Sequence, residues 1–385
     1  MKRIGICGPF DPTLCDGVSR SMFELLTFIK NLGHDVFIVS LMHGGDLCHQ
    51  RLFYLVNNSD TQVTSSGESS CNVIFRGVNI FYEVLPYKRH EVLRAHGEVL
   101  KKAIATLMGF TDSYLFSVDF DLTTLAAKSV LGIQGAHFIH SPSAIETYTQ
   151  RPIHGELMRM GTVFVASRFA QSELKRMLGI DSVVWNPFID LSRFTPEHRR
   201  NGNRTIGFYS AGPHKGDELV QHLIRDMPSI QFAIMGGNYT YRCNTFPRNV
   251  HYMGNVLDLN EYYNAISILI VPSTIAEGYS RVVVEAAKNG IPAIANNIGG
   301  IPEALGGSGI LIDIEPSLDA MVDKYVSAIT WLLDNPTEYI KYSGRAVERS
   351  KEYEKELFTQ SMGNYENYLA QAPIVSNTSI LQYIV

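Results

Sequence analysis

Short apolar runs and longer amphipathic stretches take turns along most of this chain, the mark of strands and helices in alternation. Residues 3–7 read as a strand. In the next segment Val18, Met22, Leu25, Leu26, Ile29 and Leu32 share one helical face, and Gly33 ends the helix. Residues 36–41 are a continuous apolar run but for Ser40, as in a parallel strand covered on both faces, which completes a βαβ unit. Residues 59–72, rich in Ser, Thr and Gly, read as an exposed loop, and 73–85 hold one or two strands. A helical pattern over 87–108 buries Val92, Leu93, Val99, Leu100, Ala103, Ile104 and Leu107, with Lys88, Arg89, His90, Arg94, Lys101 and Lys102 largely off that stripe. Strands at 113–118, 136–139 and 162–165 then alternate with helices at 122–131 and 168–178, the last N-capped by Ser167.

After an apolar stretch at 183–185, a proline-punctuated segment (186–196) and a polar, basic one (198–204) form the best domain boundary in the chain. A second series follows, with strands at 205–209, 231–235, 250–253, 266–271, 291–295 and 310–312. Helices are expected at 217–225 and 261–265, from Ser280 to about 289, after Gly299, and twice or three times over 317–369. Two such series joined by one linker predict two doubly wound, Rossmann-like α/β domains facing a cleft.

Composition narrows the class. The 385 residues are 45% apolar and 18% charged, enough for two or three domains, and a net charge of −5 speaks against wholesale nucleic-acid binding. Cys7, Cys15, Cys48, Cys71 and Cys243 are scattered and odd in number, as expected in a reduced, cytoplasmic compartment rather than in a disulfide framework. No apolar run approaches the roughly 20 residues that span a bilayer. The basic face of 88–108 is open to two readings, a solvated surface or peripheral contact with an anionic membrane.

The candidate chemistry gathers at strand ends. Glu277 falls in the loop after the strand at 266–271, and Glu285 about a turn and a half into the helix that follows. In open α/β sheets that strand-to-helix crevice is where ligands bind, and the helix N-terminus suits a phosphate. His140 ends a parallel strand, where it either faces the cleft or sits capped in the core. The loop over 8–17 lacks the G-x-G-x-x-G fingerprint, so a dinucleotide-dependent dehydrogenase is not supported; the loop either faces another ligand or is a surface connection. Asp119-Phe120-Asp121 has the spacing of a metal clamp but reads as loop or helix-cap chemistry, and no metal site is expected.

Four segments in order resemble the retaining glycosyltransferases of family 4, which have the GT-B architecture. Glu277 and Glu285 match the E-x7-E motif; Gly299-Gly300-Ile301-Pro302-Glu303 matches G-G-x-P-E. Asn186-Pro187 with Asp190-Leu191-Ser192-Arg193-Phe194-Thr195-Pro196 resembles the interdomain N-x-x-D-x-x-R-F-x-P segment, and residues 17–36 resemble the first βαβ unit. The resemblance covers most of residues 1–370 and is loose between about 45 and 110. It implies an acceptor-binding domain over 1–186, a nucleotide-sugar domain over 187–352, a C-terminal helix near 353–372 packing back on the first domain, and a tail over 373–385. It implies a metal-independent hexosyltransferase that needs no cofactor beyond its nucleoside-diphosphate sugar and glycosylates a hydroxyl of a glycan, glycolipid, glycoprotein or small molecule. Glu277 would then meet the donor sugar and Glu285 the nucleotide ribose. Lys215 would meet the phosphates, together with the backbone of Gly278, Tyr279, Ser280 and Arg281. His140 would lie near the sugar, and Gly17 would line the acceptor wall. One position departs from the pattern. Where the family has an arginine five residues before its phosphate lysine, this chain has Ser210. Arg281 is the candidate substitute; its alternative is a solvent-facing helix residue. The competing functional classes are an inverting or other GT-B enzyme and a non-catalytic sugar-nucleotide-binding protein.

Overall fold

A computed structural model describes residues 1–8, 16–43, 56–57, 59–66, 70–85, 96–119, 122–149, 161–196, 204–210, 212–236, 246–254, 256 and 258–369. Several expectations fall outside these residues: most of the 8–17 loop, the basic positions at 88–94, Asp121, most of the 198–204 linker and the 373–385 tail. The chain divides into two compact units, one of Met1–Ala166, Ala170–Phe188 and Gln360–Val385, the other of Ser167–Phe169 and Ile189–Thr359.

In the first unit β1 (Arg3–Gly8) leads through α1 (Gly17–Asn31) to β2 (Asp35–His43). Then come β3 (Thr61–Ser66), β4 (Ser70–Phe75), β5 (Val78–Leu85), α2 (His96–Leu107), β6 (Tyr114–Val118) and α3 (Leu122–Val130). The series closes with β7 (Gly135–Ile139), α4 (Pro142–Thr149), β8 (Thr162–Val165), α5 (Arg168–Leu178) and β9 (Val183–Val184). The sheet order is β3-β4-β5-β2-β1-β6-β7-β8-β9, parallel from β5 through β9. Its strands are near-continuous apolar runs because helices cover them, and Ile4, Phe37, Val39, Phe116 and Phe164 are fully buried. Residues 61–66 and 70–72 correct the sequence reading: they are not loop but form β3 and the start of β4, paired antiparallel with each other and, for β4, with β5. β3 is an exposed edge strand, so its faces can stay polar, and Thr61, Val63 and Thr64 favour the extended backbone.

The second unit holds β10 (Ile206–Tyr209), α6 (Asp217–Asp226), β11 (Phe232–Met235), β12 (Val250–Gly254), α7 (Leu259–Ala265) and β13 (Ile268–Val271). It continues with α8 (Arg281–Lys288), β14 (Ala293–Asn296), α9 (Ile301–Leu305), β15 (Ile310–Ile312), α10 (Leu318–Asp334) and α11 (Pro336–Asn364). The sheet is all parallel in the order β12-β11-β10-β13-β14-β15. The chain therefore reverses its winding between β10 and β13, and the crevice at the carboxyl ends of these two strands is the place such sheets reserve for a ligand. β14 starts two residues later than expected because Pro292 has no N–H to give the ladder.

Of the C-terminal helix expected near 353–372, residues 353–364 are the last part of α11, a continuous helix of 29 residues with Pro336 at its start, and Tyr365–Leu369 follow as a π-helical turn. Gly344 lies inside α11 and no proline interrupts it. Residues near its end join the first unit. Trp185 lies against Phe164 with ring centroids 4.9 Å apart and donates its indole N–H to Ser361 Oγ at 3.0 Å. Asn186 and Gln360 exchange hydrogen bonds, the Asn186 backbone N–H donating to Oε1 at 3.0 Å and Gln360 Nε2 donating to Asn186 Oδ1 at 2.8 Å. Among the described residues no helix is long and apolar enough to cross a membrane. Lys102 on α2, one of the basic positions, pairs with Glu83 of β5 at 2.8 Å.

Candidate functional site

Two loops meet at the crevice of the second unit. After β10 the chain passes Ser210 and makes a short turn, Pro213–Lys215, before α6. Gly216 follows at φ +93°, and a Cβ there would lie 2.3 Å from the Pro272 carbonyl oxygen, so only glycine lets the two loops touch. Thr274, in the loop after β13, donates its backbone N–H (2.9 Å) and its hydroxyl (3.1 Å) to the His214 carbonyl. This tie brings Lys215 Nζ to 2.7 Å from Glu277 Oε1, with the lysine side chain 23% and the glutamate side chain 10% exposed. The Ser273 hydroxyl donates to the same carboxylate oxygen. Behind it, the Tyr325 hydroxyl donates to Asn296 Oδ1 at 2.8 Å, and Asn296 Nδ2 donates to the Ser273 carbonyl at 3.0 Å.

The G-G-x-P-E turn forms the floor under this loop. The Gly300 N–H donates to the Glu277 carbonyl at 2.7 Å, and a Cβ at Gly300 would stand 2.2 Å from the Gly278 carbonyl oxygen. Glu303 accepts the backbone N–H of Arg168, a residue grouped with the second unit, at 2.9 Å. Tyr279 is buried, and burial pushes its phenol well above the ordinary tyrosine range. Ser280 is the N-cap of α8, yet its hydroxyl does not cap the helix; it is buried and without a hydrogen-bond partner among the described residues. The helix start therefore retains its unsatisfied N–H groups and the positive end of its dipole.

Arg281 and Glu285 pair across one turn of α8 at 3.3 Å, with side chains only 10% and 4% exposed. This excludes the solvent-facing reading of Arg281. Glu285 also accepts the Tyr263 hydroxyl at 2.8 Å, and the Tyr263 ring packs edge-on to Phe194 at 5.6 Å. Phe194, from the proline-punctuated segment, thus backs the tyrosine that holds Glu285. Sequence reasoning overlooks Tyr263, since a tyrosine on a short helix ordinarily reads as core.

Ser210, at the position where an arginine is expected, donates its hydroxyl to both carboxylate oxygens of Asp217 at 2.8 and 3.1 Å. Burial raises the Asp217 carboxyl, and the Ser210 hydrogen bond partly opposes this. Burial, and then the Lys215 charge, lower His214 and favour the neutral imidazole beside the lysine.

His140 and Gly17 belong to the first unit, whose winding reverses between β1 and β6. Gly17 is the first residue of α1, next to Asp16, which caps the helix by accepting the Ser19 N–H at 2.7 Å. His140 is buried just past β7, its ring stacked on Phe138 with centroids 4.3 Å apart and its Nδ1 3.9 Å from Asp119 Oδ2. Asp119 follows β6 at φ +42° and accepts the backbone N–H groups of His140 (2.6 Å) and Ser141 (3.0 Å). Its carboxyl ties two strand ends together, which is loop and cap chemistry. Burial pushes its pKa up to about 7 against the pull of these two hydrogen bonds.

Residues 214–335 match the sequence model of the family described as Glycosyl transferases group 1. Among curated proteins, D-inositol 3-phosphate glycosyltransferase 2 of Catenulispora acidiphila is 27% identical over 221 residues, covering 47% of this chain and 50% of that protein. The chain spans between about a fifth and about half the length of the curated relatives it matches. Among solved structures, sucrose-phosphate synthase from Thermosynechococcus elongatus superposes with a TM-score of 0.71 at 16% identity, covering 96% of this chain and 100% of that one. HepE of Anabaena, solved in complex with UDP-glucose, gives 0.69 at 14% identity with coverage of 96% and 100%. The chain therefore has the GT-B fold, and its second unit carries the segment that matches the group 1 glycosyltransferases.

Proposed function

We propose that the protein is a retaining glycosyltransferase that moves a sugar from a nucleoside-diphosphate sugar to an acceptor hydroxyl. The observation that carries this reading is the pairing of Lys215 with Glu277 and of Arg281 with Glu285 around the uncapped start of α8. A diphosphate at that helix start meets the backbone N–H groups from Tyr279 to Arg281 and the Lys215 ammonium. Lys215 supports departure of the nucleoside diphosphate as negative charge develops on it; a fixed ammonium about 4 Å from a phosphate charge gains roughly 4 kcal/mol at an effective dielectric near 20. Glu277 accepts hydroxyls of the donor sugar, and Glu285, held by Tyr263, accepts those of the ribose. Arg281 adds the second positive charge that Ser210 does not supply. Departure of the diphosphate gives oxocarbenium character at the anomeric carbon, and the acceptor attacks the same face with the leaving phosphate as base. The charge-stabilising work falls to Lys215, Arg281 and the helix start, so no divalent ion is required and a chelator leaves turnover intact.

A thermal-shift screen with UDP-glucose, UDP-N-acetylglucosamine, ADP-glucose and GDP-mannose tests the reading, because a ligand that binds only the native state raises the melting temperature by mass action. UDP-glucose comes first, since HepE of the same fold was solved with it. With the donor found, proton NMR of the product anomer separates retention from inversion. Donor binding without transfer or hydrolysis would make the protein a sugar-nucleotide-binding protein, and no response to any nucleotide sugar would end the proposal.

A further inference from the structure

On the donor-site reading just given, we infer that Arg349 is a positioning residue that holds the donor loop in its binding geometry from behind. Arg349 lies inside α11 and is only 7% exposed. Its guanidinium bridges two separate segments of the site. Nε donates to the Ala304 carbonyl and Nη2 to the Glu303 carbonyl, both at 3.3 Å, at the carboxyl end of α9. Nη2 also donates to the Tyr279 hydroxyl at 3.4 Å. Nη1 faces outward to Glu356 at 3.1 Å and Glu352 at 3.7 Å.

The carbonyls at the end of α9 are ones the helix itself leaves unsatisfied, and a cation there also meets the negative end of the helix dipole. Tyr353, one turn further along α11, packs its ring 6.0 Å from that of Tyr279. Arg349 and Tyr353 thus grip the same tyrosine from one helix face, with buried Ala346 a turn before them and buried Leu357 a turn after. Tyr279 immediately precedes Ser280 and the start of α8, and the short helix whose far end Arg349 binds is the one capped by Gly300, whose N–H supports Glu277. One planar fork therefore fixes both layers of the loop. A lysine has the charge but not the fork and cannot satisfy three acceptors in this spread.

The test compares Arg349→Lys, Arg349→Met and Tyr279→Phe with the wild type and with Lys351→Ala, an exposed substitution on the same helix. Circular dichroism and melting temperature report folding. Calorimetric Kd for the nucleotide sugar that the wild type binds best, with separate donor and acceptor KM, reports positioning. Arg349→Met is expected to weaken donor binding about tenfold or more with acceptor KM unchanged, Arg349→Lys to restore part of the loss, and Tyr279→Phe to weaken it about threefold; Lys351→Ala is expected to match wild type. Folded Arg349→Met or Arg349→Lys protein with wild-type donor Kd and KM would overturn the inference and leave Arg349 a purely structural residue. If Arg349→Met does not fold, Arg349→Lys and Tyr279→Phe decide by the same criterion. A wild type that binds no nucleotide sugar sinks the donor-site reading itself, which is a different result.

Discussion

Replacing Asp119 by Asn should stabilise the protein, and more so the higher the pH. Asp119 is buried, and its carboxyl has a pKa of about 7 against 3.8 for the free group. Below pH 3.8 both native and unfolded chains hold the proton and the site costs nothing. As pH rises through the interval the unfolded chain releases its proton while the native chain keeps it, so stability falls by about 1.4 kcal/mol per pH unit. The interval is 7 minus 3.8, about 3 units, so about 4 kcal/mol is lost by the time the native carboxyl ionises, and the curve is flat above it. Asparagine does not titrate, keeps an oxygen to accept the His140 and Ser141 N–H groups, and tolerates the left-handed backbone at φ +42°. Between pH 5 and pH 8.5 the advantage of Asp119→Asn should therefore grow by about 3 kcal/mol. In a unit of this size each kcal/mol moves the melting temperature by about 2–4 °C. Paired melts of wild type and variant across that range measure the difference. An advantage that stays level or shrinks as pH rises would show that Asp119 is ionised throughout and that the two N–H groups outweigh its burial.

Three further outcomes follow from the second unit. Gly300→Ala places a methyl 2.2 Å from the Gly278 oxygen, a backbone atom that cannot step aside, and should cost about 3 kcal/mol in chemical denaturation along with donor affinity; a wild-type midpoint would mean the two turns are not in contact. Lys215→Ala should raise the donor Kd about a hundredfold while costing about 1 kcal/mol of stability, since the pair it breaks is only partly buried; unchanged donor affinity would remove Lys215 from the phosphate role. Arg281→Ala strands Glu285 in a buried setting and should destabilise by about 3 kcal/mol, and calorimetry should show weaker donor binding as well. A variant that loses stability but binds donor normally would leave Arg281 only as the partner of Glu285.

The parallel strands are legible in the sequence because most are near-continuous apolar runs between turn residues, and helices on both faces demand that pattern. The edge strand β3 is not, because an exposed edge strand need not bury either face, and its Ser and Thr residues look like a loop by composition. Glu277 and Glu285 are legible as chemistry from their places at strand and helix ends, and Lys215 only through the resemblance to the family. That Lys215 and Glu277 hold each other is not, since it depends on a tie between Thr274 and His214, 60 residues apart. Arg349 carries a signal that charge alone hides. It falls on the stripe of Ala346, Tyr353 and Leu357, and an arginine on the apolar stripe of a helix is there to bind something inside.

The Lys215–Glu277 pair also sets a logic for what can open the site. Each partner neutralises the other at rest, so the crevice does not present a bare cation to every passing anion. On the proposed reading, a nucleoside diphosphate alone draws Lys215 away and leaves Glu277 with the Ser273 hydroxyl. A free sugar offers hydroxyls to Glu277 but no charge to move Lys215. Only a molecule carrying both halves replaces both partners at once, and the two halves should bind with positive cooperativity that disappears in Glu277→Gln. The ion pair then works as a two-key lock, rejecting by energetic balance the nucleotides and sugars that share half the ligand's chemistry.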